Sequence, residues 1–221
     1  MTALDLRSSK HIHIIGVGGA GMRAIASVLV AMGHTVSGSD LRHSAGLDRL
    51  EAEGVRVVVG HRETNVRDVD LVTRSSAVPD ANPEVRVARE RGIPVLSRAD
   101  VLTAITRVRN TVAVAGTHGK TTTSSMLAVI LREAGLDPSF IIGGEVNEIG
   151  SGAAWTADGS WFVVEADESD GTFLSLDAAA AIVTSVEPDH LAHYGSPDAL
   201  SLIHISEPTR RRLESRFASW G

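Results

Sequence analysis

Gly116, Thr117, His118, Gly119, Lys120, Thr121, Thr122 and Thr123 are the residues whose types and spacing speak most directly of chemistry. They follow an apolar run at residues 111–115 and lead into a helical pattern at residues 124–134. A glycine-rich turn between a strand and a helix aims backbone N–H groups and the positive end of the helix dipole at one place, which suits phosphate. Lys120 is spaced to reach outer phosphates and the Thr121 hydroxyl to hold Mg²⁺, so the segment reads as a nucleoside triphosphate site. Only the Gly-x-x-Gly-Lys-Thr half of the general pattern is present, because Val114 stands where its first glycine would be.

A second chemical cluster lies downstream. Residues 161–164 read as a buried strand, and Glu165, Asp167, Glu168 and Asp170 follow at its end. Four carboxylates within six residues repel one another unless a cation sits among them. Mg²⁺ prefers oxygen ligands and accepts few protein groups, and Glu165, the last strand residue, is the one best aimed at the phosphate loop. Residues 179–185 form another strand, followed by Glu187, Pro188, Asp189 and His190. His190 has two open readings, a metal or phosphate partner or an ordinary loop histidine.

The first glycine loop, Gly16 to Gly21, fits G-x-G-x-x-G after a strand and at the start of a helix. Asp40 ends the next strand, twenty-four residues after Gly16. These features fit a dinucleotide with its ribose on Asp40. A nucleotide-diphosphate sugar supplies a pyrophosphate and a ribose equally well, and glycines needed only for close strand–helix packing would look the same. Ser75 and Ser76 sit in a loop at residues 74–79 that follows an apolar strand. That places them at the carboxyl edge of a sheet, where ligands of open α/β sheets bind, although a plain polar turn has the same composition.

The elements that must position these residues alternate. Strands are expected at residues 12–15, 34–38, 55–59, 69–73 and 94–96, with helices at 19–32, 47–53 and 83–91. Residues 98–109 read as a helix and connector, and further strands are expected at 111–115, 140–142, 161–165 and 179–185. Such alternation implies mostly parallel sheets with helices on their faces. The fold class is therefore α/β: a Rossmann-like parallel-sheet domain followed by an incomplete phosphate-loop α/β domain.

Of the 221 residues, 43% are hydrophobic and 22% charged, ordinary for a globular protein. A formal charge of −6 argues against a general nucleic-acid or membrane-surface binder. The absence of cysteine excludes disulfides, thiolate metal sites and cysteine nucleophiles. The N-terminus lacks a signal-peptide pattern and no apolar run is long enough to span a bilayer, so a cytoplasmic protein is expected.

These pieces together resemble the Mur ligases of bacterial cell-wall synthesis, and among them the members that join L-alanine to UDP-N-acetylmuramate. The resemblance rests on the loop from Gly16 to Met22, Ser37-Gly38-Ser39-Asp40, Ser75-Ser76-Ala77-Val78 and Asn82-Pro83-Glu84 in the first half. In the second it rests on Ala115 to Thr123, Gly143-Gly144, Glu165 to Asp170, and Glu187-Pro188-Asp189-His190. It covers residues 11 to about 200, and its motifs occur in the family's order.

The resemblance implies that Gly18, Gly19, Ala20, Gly21, Met22, Asp40, Ser75 and Ser76 face a UDP-sugar rather than NAD. It assigns Gly116, Thr117, His118, Gly119, Lys120, Thr121 and Thr122 to ATP, with Lys120 the catalytic cation. Thr121, Glu165 and His190 fall to Mg²⁺. The implied reaction phosphorylates the lactyl carboxylate of UDP-N-acetylmuramate to an acyl phosphate, which the amine of L-alanine then attacks, a step in peptidoglycan precursor synthesis. The implied domains are a UDP-sugar-binding unit at residues 1–108, part of a central ATP-binding unit at 109–200, and an aberrant or foreign tail at 201–221.

The sequence departs from the family's pattern at Arg23, where a small residue is usual, at Ser185, commonly asparagine, and at Ala192, commonly aspartate. The tail carries four arginines against two glutamates and no clean periodicity. A truncated form of the ligase is therefore expected. The alternatives are a related ligase that recycles a cell-wall tripeptide, a nicotinamide dehydrogenase, and a non-catalytic nucleotide-binding module.

Overall fold

The computed structural model describes residues 4–146, 150–166 and 175–185. His190 and the tail at residues 201–221 lie outside them. The chain builds two five-stranded sheets in succession.

The first sheet holds β1 (His11–Ile15), β2 (Thr35–Asp40), β3 (Arg56–Val59), β4 (Leu71–Arg74) and β5 (Val95–Ser97), all parallel, in the order β3-β2-β1-β4-β5. The chain leaves β1 toward one edge and returns on its other side at β4. The loops after β1 and β4 therefore sit side by side at the point where the strand order reverses, the usual ligand crevice of an open sheet. Helices α1 (Ala20–Ala31), α2 (Ala45–Ala52), α3 (Pro83–Glu90) and α4 (Arg98–Thr106) make the crossovers and the exit. Helix α3 starts as its sequence dictates, with Pro83 in the first turn and the Asn82 side chain accepting the Glu84 N–H. A capping box of Ser97 and Asp100 starts α4.

The second sheet holds β6 (Asn110–Ala115), β7 (Ser139–Val146), β8 (Ser151–Ala154), β9 (Trp161–Glu165) and β10 (Ala180–Val183) in the order β10-β6-β9-β7-β8. All pairs are parallel except the β7–β8 hairpin. Helix α5 (Lys120–Glu133) connects β6 to β7. It begins four residues before the expected pattern, so Lys120 and the threonines after it form its first turn rather than a preceding loop.

Two features escape the periodicity: a 3-10 turn at Glu63–Asn65 and strand β8. Ser151–Ala154 has no β-branched or aromatic residue, so nothing in its composition marks a strand. Its position is fixed by pairing with β7 and by Arg109, whose guanidinium stacks 3.9 Å from the Trp155 ring centre. Arg109 also donates to the Ser139 hydroxyl at 2.6 Å and to the Thr156 carbonyl, tying the entry of β6 to both strands of the hairpin.

One apolar cluster packs α1, α2 and α4 on the first sheet and continues into the second through Ala113, Ala115, Phe162 and Val164. A separate cluster of Ile15, Val72, Val85 and Ala88 seats α3, and Ala128, Phe140, Ile142 and Val163 seat α5. Strand β1, beneath the first glycine loop, is thus packed by two clusters, and β6, beneath the second, by the first of them. Among the described residues, no helix is long and apolar enough to cross a membrane.

Candidate functional site

The phosphate loop leaves β6 at Gly116, whose φ of +125° only glycine adopts without strain, and turns into α5 through Gly119 at φ +81°. A side chain at position 116 would also collide with the Thr184 hydroxyl, 2.3 Å from an ideal Cβ. The first amides of α5 have no intrahelical partner, so they and the loop amides form the anion-facing surface. Lys120 folds back over this surface, its Nζ donating to the Gly116 carbonyl at 2.6 Å. The Thr121 and Thr122 side chains are exposed at the mouth.

Strand β9 runs beside β6 and brings Glu165 to the same edge. The Thr121 hydroxyl donates to Glu165 Oε1 at 3.2 Å, and the Gly143 N–H donates to Oε2 at 2.9 Å. A Cβ at position 143 would lie 2.9 Å from the carboxylate and push it aside, so glycine there lets Glu165 keep this position. Two hard oxygen donors therefore stand together beside the loop, the donor set that Mg²⁺ takes alongside phosphate oxygens and water. Among the described residues no group of three or more histidines and carboxylates forms a fuller metal site. The structure brings Thr121 and Glu165 together; His190 lies outside the described residues.

The loop after β10 completes this edge. The Thr184 N–H donates to the Ala115 carbonyl at 3.0 Å, and its hydroxyl donates to the His118 carbonyl at 2.5 Å. Ser185 accepts the Thr117 N–H on its carbonyl at 3.1 Å and the His118 N–H on its hydroxyl at 3.0 Å.

In the first unit, Gly16 turns with φ +77° and its amide, with that of Val17, donates to the Ser39 carbonyl at 2.8 and 3.1 Å. The Gly18 N–H donates to Asp40 Oδ2 at 2.8 Å, and the Gly18 carbonyl accepts Arg23 Nη1 at 2.5 Å. Asp40 thus braces the loop directly. Helix α1 starts after Gly19 without a side-chain cap, leaving the amides of Ala20, Gly21 and Met22 open to an anion. Met22 can contribute only that amide, because its side chain is buried in the core. Ser75 is half-buried and Ser76 exposed on the neighbouring loop, and a Cβ on Gly16 would lie 3.1 Å from that of Ser75.

Sequence reasoning missed the support under this loop. Glu84 is fully buried and accepts from the Ser39 hydroxyl at 2.6 Å and from Asn65 Nδ2 at 2.5 Å. His61 Nδ1 lies 3.1 Å from its second oxygen, and His13 Nε2 3.7 Å from its first. Burial alone would raise the Glu84 carboxyl, but the His13 ring beside it and the hydrogen bonds from Ser39 and Asn65 outweigh it and hold the group below its ordinary value. Glu84 thereby fixes Ser39, the residue whose carbonyl shapes the glycine loop. The only sequence signal was a carboxylate directly after a helix-starting proline.

Two glycine loops, each at the carboxyl end of a parallel sheet, thus share one chain. Residues 11–110 match the Mur ligase family, catalytic domain, and residues 114–201 the Mur ligase middle domain. The solved UDP-N-acetylmuramate:L-alanyl-gamma-D-glutamyl-meso-diaminopimelate ligase of Neisseria meningitides superposes with a TM-score of 0.81 at 30% identity. The match spans 89% of this chain and 67% of that one. The chain belongs to the Mur ligase family.

Other members extend the likeness. A protein of Solidesulfovibrio magneticus named UDP-N-acetylmuramate--L-alanine ligase is 52% identical over 191 residues, 86% of this chain and 42% of that protein. One of the same name from Sinorhizobium medicae is 50% identical over 189 residues, covering 40% of its length. The solved UDP-N-acetylmuramate-alanine ligase of Thermotoga maritima gives a TM-score of 0.80 at 32% identity, across 88% of this chain and 46% of that one. This Mur ligase chain spans about two fifths of the length of the curated relatives it matches. Family membership sets aside the dehydrogenase that the first loop by itself suggests.

Proposed function

We propose that this chain is the substrate- and ATP-binding part of an ATP-dependent ligase that joins L-alanine to UDP-N-acetylmuramate in cytoplasmic peptidoglycan precursor synthesis. The observation that carries the reading is the junction of Thr121, Glu165 and Gly143 beside Lys120, in a chain about half identical to relatives of that name. The solved neighbours do not separate the alanine ligase from the peptide-recycling one, since their TM-scores are 0.81 and 0.80. The identities of 50–52% favour the alanine ligase.

In this reading the UDP diphosphate lies at the loop from Gly18 to Met22, on the open amides of Ala20, Gly21 and Met22, with Gly18 and Gly19 shaping the turn and Asp40, Ser75 and Ser76 beside it. The ATP phosphates lie on residues 116–122. Mg²⁺, held by Thr121 and Glu165 with His190 as a further ligand, would neutralise phosphate charge. Lys120 swings from the Gly116 carbonyl to the transferring phosphoryl group, where its charge offsets the negative charge that builds there. A carboxylate oxygen of the sugar attacks the γ-phosphorus and ADP leaves. The alanine amine then attacks the acyl carbon, loses a proton and expels inorganic phosphate. The domain roles follow: residues 1–108 for the UDP-sugar and 109–200 for ATP.

Calorimetric titration of the chain with UDP-N-acetylmuramate, with ATP and Mg²⁺, and with NADH tests the reading. Saturable binding of the first two and not the third is expected. Binding of NADH in place of the UDP-sugar would overturn it.

A further inference from the structure

Two of the amides that should cradle phosphate already have partners within the protein. Its Thr117 and His118 amides point at Ser185, the first onto the main-chain carbonyl and the second onto the side-chain hydroxyl. These amides belong to the set that a phosphate loop offers to its anion. The two contacts differ in kind. The bond to the Ser185 carbonyl and those of Thr184 to the Ala115 and His118 carbonyls are part of the way β10 docks on β6. They hold the loop in place whatever residue stands at 185. The hydroxyl contact depends on the serine alone.

We propose that the Ser185 hydroxyl is a stand-in for a phosphate oxygen, an affinity-setting residue that the incoming nucleotide must displace from the His118 amide. The inference rests on the nucleotide reading of the loop. Thr184 does a different job: its hydroxyl holds the His118 carbonyl and so anchors that residue without occupying its amide. Gly116 supports this packing, since any Cβ there would strike both Thr184 and the Ser185 backbone. Nucleotide binding thus draws on the strand end of β10, and the two hydroxyls at 184 and 185 set its strength with opposite sign.

The test is calorimetry of the full chain with ATP and Mg²⁺, repeated with UDP-N-acetylmuramate. Ser185→Ala removes the competitor and leaves the main-chain dock, so ATP affinity should rise about three- to tenfold, the equivalent of one neutral hydrogen bond. Ser185→Thr keeps the hydroxyl and should keep wild-type affinity. Thr184→Val loses the anchor and should bind ATP several-fold more weakly. All three should bind the UDP-sugar as wild type does. A general loss of structure cannot tighten binding, so the rise is diagnostic. Unchanged or weaker ATP binding by Ser185→Ala overturns the proposal. Failure of the wild-type chain to bind ATP overturns the nucleotide reading instead.

Discussion

The Thr121 hydroxyl and the Glu165 carboxylate meet at 3.2 Å although forty-four residues separate them in the chain. The meeting follows from topology: β6 and β9 are adjacent parallel strands, so the helix that starts after one opens beside the last residue of the other. Gly143, at the same edge on β7, holds the remaining carboxylate oxygen through its N–H. One side chain and one amide from separate segments thus fix the orientation of a single acid.

That arrangement makes Gly143→Ala informative. The new methyl would lie 2.9 Å from Glu165 Oε1 and 3.1 Å from Oε2, so the carboxylate must swing away from Thr121. Mg²⁺-dependent ATP binding is expected to weaken at least about tenfold, as it does when a charged hydrogen-bonding partner is lost. UDP-sugar binding should be untouched. Isothermal titration with and without Mg²⁺ decides it, and an unaltered Mg²⁺ dependence would remove Glu165 from the metal site.

The two loops should fail independently. Lys120→Ala should weaken ATP binding about ten- to a hundredfold, the range for a charge-assisted contact, and abolish ligation in a full-length version while UDP-sugar affinity holds. Asp40→Ala releases the Gly18 N–H and should weaken the UDP-sugar about tenfold without touching ATP. Equal loss of both ligands in either variant would refute the division of labour between the units.

The alternation of strands and helices and both glycine loops were legible because each rests on local pattern: apolar runs, glycine at positive φ, proline at a helix start. The pairing of Thr121 with Glu165 was legible only as an expectation about strand ends, and Gly143 as their third partner was not, since an amide leaves no mark in composition. Strand β8 was illegible because pairing with β7, not residue preference, makes it. Ser185 reads as a departure from the family's pattern, but its hold on the His118 amide depends on where β10 ends. The Glu84 network was hidden for a related reason: three distant segments, at His13, Ser39 and residues 61–65, converge on one carboxylate, and no short window joins any of them to it.

Glu84→Ala would strand the Ser39 hydroxyl and the Asn65 amide in the interior together with His61. The expected cost is about 3–5 kcal/mol of stability, as for breaking a buried charged network by removing one partner. Glu84→Gln, which can keep one acceptor, should cost less. Denaturant unfolding measures both. Equal, small losses would mean that Ser39 and the glycine loop do not lean on this carboxylate.

Acid should destabilise the fold in two stages. Burial and the nearby charge of Lys10 lower the His34 pKa from 6.5 in the folded state, and its Nδ1 accepts the Lys10 N–H at 3.2 Å, so the folded form holds the ring neutral. The unfolded chain binds a proton there first, so stability is full above about pH 6.5 and falls as pH drops through the window below it. The slope for one such group is at most about 1.4 kcal/mol per pH unit. Glu84, also lowered, adds its contribution above its ordinary value of 4.5 and loses it as pH falls further. His34→Asn keeps an acceptor for Lys10 but cannot titrate, so it should flatten thermal stability between pH 7 and pH 5 and leave the later fall intact. A wild-type slope persisting in that variant would assign the first stage to another group.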